Sequence, residues 1–133
     1  MTAVWSMTSR ESGRFNPVEK RSDLSDLARE FSELRSHGQG YLEIRMPDNE
    51  FPQLTLSFSD DQAVIHLFTD EASVSLLTGD GSTPPEVAVD VPVVDDLATF
   101  TGEFVLGVDH AWEVVQSFTH AQSVEELGEW CEL

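Results

Sequence analysis

At Gly40 the apolar period of this chain changes from 3.6 residues to two, and this change limits the fold more than any other feature. Before it, Leu24, Leu27, Ala28, Phe31 and Leu34 recur at helical spacing and predict an amphipathic helix, capped by Ser22 and ended near Gly38. After it, Leu42, Ile44 and Met46 alternate with Tyr41, Glu43 and Arg45, and Leu54, Leu56 and Phe58 alternate with polar neighbours. That is the pattern of strands with one buried face. Ala63 to Phe68 (AVIHLF) is nearly continuously apolar and reads as a central strand covered on both faces. Ser59 to Gln62 (SDDQ) makes the tight polar turn before it.

Shorter segments complete the pattern. Thr2 to Met7 and Ser73 to Leu77 read as strands, and Thr8 to Arg21 as a polar loop marked by Gly13 and Pro17. Thr78 to Pro85 (TGDGSTPP) excludes regular structure and predicts a flexible loop. Val87 to Val93 alternates, with Pro92 confining any strand there to an edge. Phe104 to Leu106 is a further strand, and Val108 opens a second helix with Ala111, Trp112, Val115, Phe118 and Ala121 on its apolar stripe. Trp130 and Cys131 are expected to tuck against the sheet, Cys131 as a small buried hydrophobe. One domain of 133 residues accommodates these elements. The predicted class is α+β, a mostly antiparallel sheet of about five to seven strands with two helices packed on one face.

Charge adds a second constraint. All seven Lys and Arg lie between Arg10 and Arg45, while Met46 to Leu133 carries eighteen Asp and Glu and no Lys or Arg. The formal net charge of -18 therefore belongs to the last two thirds of the chain. Self-repulsion on that scale opposes compaction, so it is either background composition, as in a salt-adapted proteome, or a surface for a basic partner. A protein that acts on nucleic acid presents a basic surface, which makes an acidic protein its natural blocker and excludes direct nucleic-acid binding here. No run approaches a membrane span and no signal peptide is readable, so a cytoplasmic protein without membrane contact is expected.

Catalytic patterns are sparse. The single cysteine cannot supply the Pro-Cys-x-x-Cys pair of a zinc deaminase. Ser57 and Ser59 lack a Gly-x-Ser-x-Gly elbow, and Gly79 and Gly81 lack the Gly-Lys of a phosphate loop. His66 within its apolar strand, and Asp109, His110 and Glu113 within one helical turn, are the remaining candidates for a hydrolytic or ligand-binding α+β domain. As a metal site that trio competes with an ordinary solvated helix start, and neither a metal nor a cofactor is expected. Adjacent carboxylates at Asp60 and Asp61, Asp70 and Glu71, Asp95 and Asp96, and Glu125 and Glu126 suit a surface potential better than acid/base catalysis.

Phe51 to Asp70 (FPQLTLSFSDDQAVIHLFTD) has a Phe-Pro-x-Leu opening, an alternating strand, a short acidic turn, and an apolar strand containing Ala63 and Val64 and ending at Phe68. The chain closes on a helix from Val108 to Ala121 and then Trp130, Glu132 and Leu133. From about Gly40 onward this order resembles the first large family of immunity proteins of bacterial polymorphic toxin systems. Within that family it resembles the immunity protein of a double-stranded-DNA cytosine deaminase toxin. Where the family often has a proline shortly before the closing Trp, this chain has Ser123 to Glu126. The resemblance implies a non-catalytic antitoxin that binds a cognate toxin, a basic DNA cytosine deaminase, and occludes its active-site or substrate cleft. An acidic adaptor of a basic cellular protein is the alternative binding role. Contacts are expected from Asp60, Asp61, Asp70, Glu71, Asp80, Asp95, Asp96 and Glu103, with Tyr41 as an exposed aromatic among them.

Overall fold

Strand pairing begins well before Gly40. In the computed structural model, which describes residues 2–9, 11–120 and 123–133, β1 (Ala3–Thr8) pairs antiparallel with β2 (Phe15–Ser22). Much of the expected polar loop is thus a strand. β2 is an edge strand with an exposed or half-exposed side chain at every position, so it has no buried face to impose alternation. Its register slips between Trp5 and Met7, and Pro17 falls in that irregular stretch, where a missing N–H is tolerated.

α1 (Leu24–Arg35) buries Leu27, Phe31 and Leu34, as the spacing predicts. Its cap is Asp23 and not Ser22. The Asp23 carboxylate accepts the Asp26 N–H at 3.0 Å, while the Ser22 hydroxyl accepts the Trp5 indole N–H at 2.9 Å. On the exposed face Asp26 pairs with Arg29 at 3.0 Å. Gly38, just beyond the helix, takes φ +93, a conformation that favours glycine.

A meander follows, made of β3 (Gln39–Arg45), β4 (Gln53–Ser59), β5 (Gln62–Phe68) and β6 (Val74–Leu77). β7 (Ala88–Val93) and β8 (Asp96–Thr101) form a separate antiparallel hairpin. The strand expected at Phe104 to Leu106 is replaced by a 3-10 turn at Gly102–Phe104 and the two-residue β9 (Leu106–Gly107). α2 (Val108–Phe118) and β10 (Trp130–Glu132) end the fold, and Ala121 lies outside the described residues. The main sheet runs β10-β6-β5-β4-β3-β1-β2 with β9 beside β5. It therefore has eight strands, more than expected, because β2, β9 and β10 are edge pieces too exposed or too short to show a period.

Both helices cover one face. Trp5, Leu42, Ile44, Leu56, Phe58 and Ile65 meet Phe31 and Leu34 of α1 and Ala111, Val115 and Phe118 of α2 in one core. Each fully buried side chain of this size stabilises by about 1.5–3 kcal/mol relative to exposure. Phe31 stacks on Trp112 at 4.8 Å between ring centres and meets Phe58 edge-on at 5.5 Å, locking the helices together over the sheet. On the opposite face Val64 and Leu76 pack with Val89 and Val91 of β7 and with Val105. The hairpin thus covers the second side of β5, which explains why AVIHLF is apolar on both faces.

The Thr78 to Pro85 loop is irregular, as expected, but it is tied down. The Gly79 N–H donates to the Glu103 carbonyl at 2.8 Å, and the Gln62 amide donates to the buried Thr83 hydroxyl at 3.2 Å. Near the C-terminus Ser123 and Glu126 form a capping box on a 3-10 turn, and the Trp130 indole N–H donates to the Val124 carbonyl at 2.9 Å. Trp130 tucks in against the core, whereas Cys131 is exposed, its side chain on the opposite side of a three-residue edge strand. No helix is long and apolar enough to cross a membrane, among the described residues.

Candidate functional site

Two hairpin turns border one of the surface clefts. In each, two residues join paired strands: Asp60 and Asp61 between Ser59 and Gln62, and Val94 and Asp95 between Val93 and Asp96. In each, φ is positive at the first turn residue, +54 at Asp60 and +59 at Val94. Aspartate adopts this region readily, but a β-branched valine is strained there, a cost of order 1–3 kcal/mol.

The turns flank one open cleft of about 550 Å³. Leu34, Gly38 and Gly40 line it from the helix side, Ser59 and Asp60 from β4 and its turn, and Pro92, Val94, Asp95, Asp96 and Leu97 from the hairpin. No Lys or Arg lines it among the described residues. Gly40 is required by close approach, since a Cβ there would lie 2.6 Å from the Leu34 side chain. Asp95 is oriented by the backbone N–H of Phe15, which donates to its carboxylate at 2.8 Å. Asp60, Asp61 and Asp96 form no ion pair among the described residues.

The other acids from the sequence are distributed differently. Asp70 and Glu71 follow β5 and so lie at the far end of that strand from Asp61, about 20 Å away at strand rise. Asp60 and Asp61, with Asp95 and Asp96 across the cleft, thus lie at one end of β5 and Asp70 and Glu71 at the other, while Glu125 and Glu126 sit on the 3-10 turn Val124–Leu127. Glu103 is exposed on the 3-10 turn. Asp80 turns inward, its side chain 17% exposed. It accepts N–H groups from Ser82 and Gly107, each at 2.9 Å, and meets His110 Nδ1 at 3.1 Å. Desolvation pushes its pKa up, but the hydrogen bonds from Ser82, Gly107 and His110 outweigh it and hold the carboxyl well below the usual range. Asp80 is therefore a loop anchor.

Tyr41 corrects the sequence reading. It is 2% exposed, set edge-on to Phe15 at 5.3 Å, and its hydroxyl donates to Glu43 at 2.7 Å. Burial, reinforced by the Glu43 charge, raises its phenol pKa far above normal. The Phe15 ring and β7, which packs against β3 and β4, cover the face of β3 that alternation alone left open.

The catalytic candidates do not assemble. Asp109 pairs with Arg35 of α1 at 2.7 Å, His110 is engaged by Asp80, and Glu113 is exposed. Among the described residues no three His, Cys, Asp or Glu side chains converge to hold a metal. His66 is buried beneath the hairpin, edge-on to Phe100 at 5.3 Å, and desolvation lowers its pKa to about 4. Ser57 Oγ is buried without a hydrogen-bond partner, so no base activates it. The basic residues are largely engaged within the fold. Arg45 forms a two-pronged pair with Glu19 at 2.9 and 3.2 Å, which lowers the Glu19 pKa, and Lys20 lies over the Trp5 ring.

Sequence reasoning missed the partnership of the two turns. Hairpin turns with positive φ are signalled by Gly or Asn, and Val94 carries neither signal. No protein-family model matches the chain, and no curated protein matches it.

Proposed function

We propose that this protein is a non-catalytic immunity protein that binds a basic, nucleic-acid-modifying toxin, a DNA cytosine deaminase, and blocks its substrate cleft. The observation that carries this reading is the set of exposed carboxylates left without ion pairs at the hairpin turns, Asp60, Asp61 and Asp96, while Arg29, Arg35 and Arg45 are paired within the fold. Charges unpaired within the fold are available to a partner, where they speed encounter and disfavour wrong partners more than they add affinity. The choice of a deaminase rests on the short motifs of Phe51 to Phe68 and the closing Trp130, Glu132 and Leu133. Of these, the Phe51-Pro52 segment leads into β4, and Trp130 to Glu132 form an edge strand.

The neutralising surface combines an acidic field with a few desolvated anchors, which carry most of the affinity in protein interfaces. If the gene beside this one encodes the cognate toxin, as expected, cells that express that toxin domain should survive only when this chain is co-expressed. Survival that does not depend on this chain contradicts the proposal.

A further inference from the structure

The cleft between the two turns differs from the rest of the acidic surface in having an apolar lip. Leu97 is 64% exposed and Val94 41%, and both border the cleft beside Pro92 and Leu34. Asp60, Asp95 and Asp96 ring the same opening. A neutral aromatic anchor would leave those carboxylates unanswered, and a second copy of this chain would bring another net charge of -18 against the first. Nucleic acid is repelled for the same reason.

We propose that this cleft receives an arginine or lysine side chain from a basic segment of the partner protein. The aliphatic stem lies across Val94 and Leu97, and the cationic head reaches the carboxylates of Asp60 and Asp96. Long basic side chains divide in this way between apolar surface and charge. Arginine fits best, because its planar fork can engage two carboxylates at once. Asp95, already oriented by the Phe15 N–H, adds fixed negative charge at the same mouth. The inference rests on the reading of the protein as a binder of a basic toxin and specifies where that toxin's cationic anchor sits.

The test uses the full chain, labelled with nitrogen-15, titrated with an acetylated and amidated tri-arginine peptide at about 150 mM salt, where long-range screening is strong. A tri-glutamate peptide serves as the control. Saturable shifts are expected at the amides of Gly38, Gly40, Val94 and Leu97, with none from tri-glutamate. The double variant Asp60→Asn and Asp96→Asn should weaken tri-arginine binding roughly fivefold or more, given the usual worth of exposed ion pairs. Asparagine tolerates the positive φ at position 60, so this variant keeps the turn. Asp70→Asn with Glu71→Gln, which removes the same charge from the other end of β5, should change binding by less than about twofold. Shifts centred on Asp70 and Glu71, shifts spread evenly over the acidic surface, absence of saturation, or equal weakening by the two double variants would each overturn the proposal. Toxin protection separates this inference from the one beneath it. If Asp60→Asn, Asp96→Asn and Leu97→Glu together leave toxin affinity unchanged, the cleft assignment fails while immunity stands. If tri-arginine maps to the cleft but no toxin is neutralised, the immunity reading fails and the cationic-anchor site stands.

Discussion

Replacing His66 by glutamine should make the fold less sensitive to acid. In the native structure His66 lies 9% exposed against Phe100, and desolvation lowers its pKa from 6.5 to about 4. The unfolded chain binds a proton there as pH falls through 6.5, while the folded chain stays neutral until about 4. The burial of neutral His66 is therefore fully compatible with stability above 6.5, and stability is lost progressively as pH drops through that window. At about pH 4.5 the two pKa values correspond to a loss of about 2.5 kcal/mol, and near pH 7.5 to almost none. Urea denaturation followed by the fluorescence of Trp5, Trp112 and Trp130 measures it, with wild type and His66→Gln compared at both pH values. The wild type should lose about 2.5 kcal/mol relative to the variant on acidification, because the carboxylates titrate alike in both proteins. Parallel pH profiles would refute the reasoning. They would mean that His66 takes up a proton in the folded state, and would reopen a chemical role for it.

Three further outcomes are expected. Val94→Asn should raise stability by about 1 kcal/mol in a thermal melt by relieving the left-handed strain, while weakening the partner complex if Val94 forms its apolar lip. Asp80→Asn should lower stability by about 1–2 kcal/mol in urea denaturation, because one carboxylate atom becomes a donor facing the Ser82 or Gly107 N–H. Gly40→Ala should destabilise by about 1–3 kcal/mol through collision with Leu34 and Phe58, measured by the same denaturation.

The fold was legible where one face of an element is buried and obscure where it is not. The period of α1, the alternation of β3 and the two-faced β5 follow from a core that selects inward positions, whereas β4, expected to bury one face, buries Thr55 and Ser57 as well because β7 packs against it. β2 escaped because it is an exposed edge, and β8 because among the described residues it pairs with β7 alone and buries none of its own side chains fully. Tyr41 was misplaced for a related reason. Alternation tells which residues share a face, but only the layer above decides whether that face meets solvent.

The candidate surface was partly legible. Asp60, Asp95 and Asp96 stood out as paired acids, yet their convergence depends on the hairpin folding back across the sheet, a long-range packing choice without local signal. Asp80 looked like its neighbours in sequence and is instead an anchor, because the Gly107 and Ser82 N–H groups require a carboxylate there. Leu97 gave no sign of its exposure, since an isolated leucine in a strand normally points inward.

The most direct test of the proposed immunity role is a titration of the product of the adjacent upstream gene, expected to be the cognate toxin, assayed for cytosine deamination of double-stranded DNA, with increasing amounts of this chain. The account predicts a stable complex and loss of activity that is complete near one equivalent of this protein. Full activity at a large excess, or deamination by this chain on its own, would contradict it.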